Sequence, residues 1–213
     1  MKRTISTWAC RLGLAGLLAG CAAPPIQYYS LAAPATDQPV SGVAGAAAQG
    51  GLSLAVTRIP VEAERLQLVV RDPARDPAVQ VLNDSLWAAP LGDQIRAALA
   101  DGLGRRLGAV DPRRLSEAQA RSVRRIEVRI DRFDLVWGRF VALDADWTDR
   151  APGADRSRVC RASVRLPAAA SVAALVEAQR QALDRLAALI AAGTSGAPAD
   201  LQGGSTLSKS GCT

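Results

Sequence analysis

The clearest periodicity in the chain is an apolar ridge with a spacing of four: Leu91, Ile95, Leu99, Leu103 and Leu107, with Ala98 on the same side. Asp93, Gln94, Arg96, Asp101 and Arg105 turn away from it, so the segment predicts an amphipathic helix with one buried stripe. Pro90 suits its first turn and Gly108 its exit. Just upstream, Leu86-Trp87 is expected to fold a large ring over the helix start. A second long helix is predicted after Ser171, a good capping residue, with Leu175, Leu183, Leu186 and Ile190 buried and Gly193 beyond its end.

Between and before these helices the period changes from four to two. Leu52, Leu54 and Val56 alternate with Ser53, Ala55 and Thr57, and Leu66, Leu68 and Val70 repeat the pattern. The Asp72-Pro73 and Asp76-Pro77 steps mark turns, and a short strand is expected at 79–82. Asp111-Pro112 is placed to cap a short polar helix through about Ser122. Ile126, Val128 and Ile130 then share one parity, whereas Phe133, Leu135 and Trp137 share the other. Such a slip near Asp131-Arg132 predicts a bulge or sharp bend, because a shift of one residue sends side chains to the opposite face. Gly138 turns the chain. Val141, Leu143, Ala145 and Trp147, then Cys160, Ala162, Val164 and Leu166, complete an antiparallel meander. This order predicts an α+β fold, a mostly antiparallel sheet with two long helices packed on one face.

The folded domain is expected over 52–193, followed by a Gly/Ser-rich tail at 194–213 that is disordered unless Cys212 ties it down. Ahead of it, residues 32–51 are mostly Ala, Gly, Pro, Ser and Gln without apolar period and read as a flexible linker. Twenty such residues have a reach of about 25 Å, enough for a stand-off. Both tyrosines of the protein, Tyr28 and Tyr29, lie side by side before this linker. They suit either a short strand docked on the domain or an aromatic anchor at a membrane interface.

The first residues decide where the rest lives. Lys2, Arg3 and Arg11 precede an apolar run from Leu12 to Ala19, too short to span a bilayer, and Leu18-Ala19-Gly20 leads into Cys21. That arrangement resembles the bacterial lipobox, as against an ordinary signal peptide with an incidental cysteine. The resemblance implies a lipoprotein signal peptide at 1–20 and a lipidated N-terminus opening the 21–51 segment. Cys21 would carry palmitate-class chains on its sulfur and then on its freed amine. At about 0.8 kcal/mol per buried methylene, several chains make the attachment effectively permanent. Ala22 follows where an Asp would resemble an inner-membrane retention signal. The implied address is the periplasmic face of the outer membrane.

Composition removes several function classes. Losing the leader takes three basic residues and no acidic ones, so the net charge falls from +6 to +3. The arginines are scattered, which is unlike a nucleic-acid footprint. There is no histidine, which excludes Ser-His-Asp and Cys-His catalysis and any zinc site with an imidazole ligand. Acidic residues are mostly interleaved with arginine, and neither a Gly-rich phosphate loop nor a CxxC occurs. The reading is of a non-enzyme without cofactor or metal. Cys160 and Cys212 remain as an even pair in an oxidising compartment, either bonded to each other or a buried thiol and an unrelated tail cysteine.

The lipobox, Tyr28-Tyr29-x-Leu31, Arg58-Ile59-Pro60, Gln67-Leu68-Val69-x-Arg71 and Leu86-Trp87-Ala88-x-Pro90-Leu91 follow in that order, and the helix closes on Arg106-Leu107-Gly108. Together they resemble the PqiC/YmbA-like ABC-type transport auxiliary lipoproteins from about Cys21 to Ile190. The long Ala/Gly linker and the short connection at 109–123 depart from that pattern. The resemblance implies an accessory component that works with MCE-domain proteins and inner-membrane transporter components in moving lipid between membranes. Homo-oligomerisation is a further expectation, with Tyr28, Tyr29 and Trp87 as interface or support residues. Two other classes stay open: a structural envelope-assembly lipoprotein, and a periplasmic lipid- or glycan-binding carrier. If Cys21 carries the lipid, Cys21→Ser leaves an unprocessed or soluble protein. Mass spectrometry of the wild-type N-terminus checks this, and an unmodified mature Cys21 overturns it.

Overall fold

The computed structural model describes residues 25–32, 52–60, 64–108, 116, 122–195 and 206–213. The leader, Cys21, most of the linker and the expected polar helix near 111–122 lie outside these, save for Ala32, Ser116 and Ser122. The described strands are β1 (Gln27–Tyr29), β2 (Leu52–Arg58), β3 (Gln67–Arg71) and β4 (Val79–Trp87), then α1 (Leu91–Leu107). β5 (Arg124–Val136), β6 (Phe140–Arg150) and β7 (Arg158–Pro167) follow, then α2 (Val172–Ser195) and β8 (Thr206–Cys212). One sheet takes them in the order β1-β4-β3-β5-β6-β7-β8, with β2 added beside β5. β5 through β7 form an antiparallel meander, with β8 added antiparallel to β7 after α2, while β1 on β4, and β2 and β3 on β5, are parallel.

β5 is the spine. Its register with β6 shifts between Ile130 and Arg132, so Asp131 is the extra residue of a bulge. The bulge resolves the parity conflict in the sequence. Ile126, Val128 and Ile130 before it, and Leu135 after it, all reach the buried side. α2 lies over β6 and β7, and α1 packs beside it and against β2. Leu91, Ile95, Leu99 and Leu103 of α1 meet Leu175, Leu183, Leu186 and Ile190 of α2 in one core with the inward side chains of the sheet. Gly102 lets the helices touch, because a Cβ there would lie 2.8 Å from the Cβ of Ala187. α1 ends on Gly108, whose φ of 61° is the left-handed closure that favours glycine.

Several boundaries differ from the sequence expectation, each for a local reason. The strand expected at 79–82 runs on to Trp87. The polar run Asn83-Asp84-Ser85 hides it, but β1 pairs with the distal part of β4 and supplies its ladder. Pro90 caps α1 from outside its first turn, and Leu107 at its end is only half-buried. Leu66 is exposed, since β3 begins one residue later. Gly193 lies inside α2, where the hydroxyls of Thr194 and Ser195 donate back to the carbonyls of Ile190 and Ala191 and carry the last turn. The Ser171 hydroxyl accepts from the Ala174 amide at 3.2 Å and caps the start of α2.

The end of the tail is a strand. β8 pairs with β7, and the ladder continues to Thr213, whose N–H donates to the Val159 carbonyl at 2.8 Å. A disulfide joins Cys160, buried in β7, to Cys212 directly opposite. At a sequence separation of 52, the loop-entropy model assigns such a bond about 4 kcal/mol. Cys212→Ser is expected to lower unfolding stability by up to that amount in urea titrations, while unreduced wild-type protein shows no reactive thiol at either position when unfolded. Free labelling of both cysteines would exclude the bond.

Candidate docking site

The other edge of β5 is shared. β2 follows it from Arg124 to Arg129, and β3 meets it only at Val136, opposite Arg71. The Trp137 amide donates to the Arg71 carbonyl at 2.9 Å and pins that junction. In the interval, the stretch 131–135 has no ladder partner on this side among the described residues. The sheet therefore opens into a cleft of about 440 Å³ between β3 and β5, with Pro60 at its mouth. Trp87, Leu91, Phe133 and Leu135 are its apolar lining, and Arg71, Asp131, Arg132 and Asp134 its polar rim. Trp87 is 3% exposed and meets Phe133 edge-on, with ring centroids 6.2 Å apart. The ring thus sits beneath the cleft at the end of β4 and just before α1.

The rim neutralises itself. Arg71 Nε donates to Asp134 at 3.1 Å, and Arg132 reaches Asp134 at 3.4 Å and Asp144 at 3.6 Å. Among the described residues, the two arginines and two aspartates of the rim balance in charge, and no serine, cysteine or lysine lines the cleft. What it offers is an apolar floor flanked by strand edges, the arrangement that receives an extended segment or a single large side chain.

A second cleft, of about 580 Å³, runs over the outer surfaces of α1 and α2. Asp184 bridges the helices, accepting from Arg106 at 2.8 and 2.9 Å and from Arg105 at 3.2 Å. Burial pushes the Asp184 carboxyl up, but the hydrogen bonds and charges of Arg106 and Arg105 more than offset this and leave it below its ordinary value. On the uncovered face of the sheet, Arg129, Asp146 and Arg161 stand in one cross-strand row. The Arg161 hydrogen bond, with support from Arg129, holds the Asp146 carboxyl below the usual range. These carboxylates are committed to arginines. Among the described residues no cluster of three His, Cys, Asp or Glu is placed to hold a metal, and no helix is long and apolar enough to cross a membrane.

The sequence-marked residues fall in two places. Tyr28 pairs with Leu86 and Tyr29 with Trp87, so the tyrosine pair and the tryptophan adjoin across β1 and β4. The tyrosines dock as a strand in β1, and this leaves the Tyr28 side chain exposed. Leu31 follows into the core at 2% exposure. Its amide donates to Gln94 Oε1 at 2.7 Å, while Gln94 Nε2 donates to the Ala89 carbonyl at 2.9 Å. Cys160 and Cys212 lie in β7 and β8, away from β1 and β4 in the strand order. Sequence reasoning missed the cleft and the Gln94 clamp. The parity slip at Asp131 and the polar Gln94 within one turn of an apolar stripe were their only traces.

Residues 29–191 match the family model for the ABC-type transport auxiliary lipoprotein component. The chain belongs to this family. The transport auxiliary lipoproteins are, by that description, membrane-anchored components of an ABC-type transport system. Two solved structures share the fold. One, described only as an uncharacterized protein, is 18% identical with a TM-score of 0.60, over 80% of this chain and 99% of its own. The other, protein XCC0632 from Xanthomonas campestris of the DUF330 family model, is 16% identical with a TM-score of 0.58, over 79% and 94%. No curated protein matches the sequence. Within this fold Trp87 is the largest buried ring under the cleft. Trp87→Ala is expected to cost about 3–5 kcal/mol, read by urea unfolding, with Trp87→Phe retaining most of the stability. A loss under 1 kcal/mol would mean that the ring is not a structural support.

Proposed function

We propose that this lipoprotein is held at the periplasmic face of the outer membrane through Cys21 and serves as a docking collar for an MCE-type system that moves lipid between membranes. It is neither an enzyme nor a carrier in this reading. The observation that carries it is how the apolar surface is spent. The stripes of both helices are consumed in packing on each other and on the sheet, and the two clefts are open and part-polar rather than enclosed chambers for an acyl chain. What is left for a partner is surface, above all the cleft between β3 and β5, with Trp87 beneath it. The family description as a transport auxiliary component supports the same direction.

Self-association into a ring would present such surfaces repeatedly to a symmetric partner. The experiment is a pull-down of the delipidated protein with the periplasmic region of the MCE protein, alongside its mass in solution. Association together with an oligomeric mass is the expected result. A strict monomer that ignores the MCE protein and keeps one lipid per chain through purification would replace the collar with a carrier. A monomer that binds neither would leave a structural envelope lipoprotein.

A further inference from the structure

The docked β1 changes the geometry of the anchor. Only residues 22–26 separate Cys21 from Gln27, the first residue of β1. Fully extended, those six Cα steps span about 20 Å. A domain of about 150 residues has a radius of gyration near 15 Å, so this tether is shorter than the domain is wide. The long Ala/Gly segment cannot lengthen it, because that segment begins after Leu31, beyond β1 from Cys21. Undocking β1 to gain reach would expose Leu31 and strip the Leu31 amide from the buried Gln94 carbonyl.

We propose that the β1 edge of the domain lies against the lipid headgroups of the membrane that holds Cys21, with Ile26 and Tyr28 entering the interface. This rests on the reading of Cys21 as the anchor. Ile26 is 56% exposed and Tyr28 67%, and two residues apart along an extended chain they point to one side. An aliphatic side chain and a tyrosine, apolar in body and polar at its tip, suit the boundary between acyl chains and headgroups. The lipid surface is preferred over a second copy of the chain because the tether already holds this edge within its reach. The domain is then oriented, with β7 and β8 at the far side of the strand order directed away from the anchor.

The test uses the lipidated full-length protein in vesicles of phosphatidylethanolamine and phosphatidylglycerol. A fluorophore is placed at Ile26→Cys, Tyr28→Cys or, as the distant control, Asp155→Cys in the exposed loop between β6 and β7. Labels at 26 and 28 are expected to be several-fold less accessible to aqueous iodide than the label at 155, and to be quenched by headgroup-level spin-labelled lipid. Equal iodide accessibility at all three positions, on protein that still floats with the vesicles, overturns the orientation and leaves the anchor standing. Protein that does not float overturns both. Protection of 26 and 28 in the soluble Cys21→Ser chain at dimeric mass would assign the edge to a second copy instead.

Discussion

The fold depends on one strand that changes phase. β5 must present apolar side chains to the helices along its whole length, yet its sequence switches parity at Asp131. One extra residue absorbs the switch, and both halves contribute to the same core. The same local twist parts β5 from its neighbours on the other edge. β2 serves the first half, β3 touches only the end, and the sheet stays open in between. A cleft with a tryptophan beneath it is thus the geometric consequence of how the core was completed.

Polar groups divide by face. On the uncovered side of the sheet, arginines and aspartates alternate across strands and satisfy one another in solvent, where each exposed pair contributes little. On the buried side the few polar residues have to be answered individually. Asp149, almost wholly enclosed, accepts from Arg124 at 2.7 Å through both oxygens. Gln94 is matched at both ends of its amide. Gln179 differs: it is fully buried on α2, and among the described residues neither atom of its side-chain amide has a hydrogen-bond partner. A buried amide left without a partner costs stability.

For a tethered accessory component, the position of the first ordered strand matters more than the length of the linker. β1 joins β4 before the Ala/Gly segment begins, so that segment does not lie between Cys21 and the first described strand. On the proposed anchoring through Cys21, the reach of about 25 Å of that segment would not lengthen the path from the lipid to β1. A stalked domain would sample many orientations, whereas a short tether beside an apolar edge restricts them.

The sequence by itself determined the elements whose signal is periodic. The four-residue ridges became α1 and α2, the alternating runs became β2 and β5 through β7, and the parity slip at Asp131 marked the bulge. These are legible because burial on one face imposes its period on the residues themselves. Tertiary structure decided what periodicity does not encode. The partners of β1, the extension of β4 through Asn83-Asp84-Ser85 and the sharing of β5 between β2 and β3 are set by backbone ladders, which carry no residue code. Gln94 looked like a solvent-facing helix residue because its role, accepting the Leu31 amide, depends on a strand more than 60 residues away in sequence. The cleft was invisible for the same reason: it is a gap between strands, and only their placement creates it.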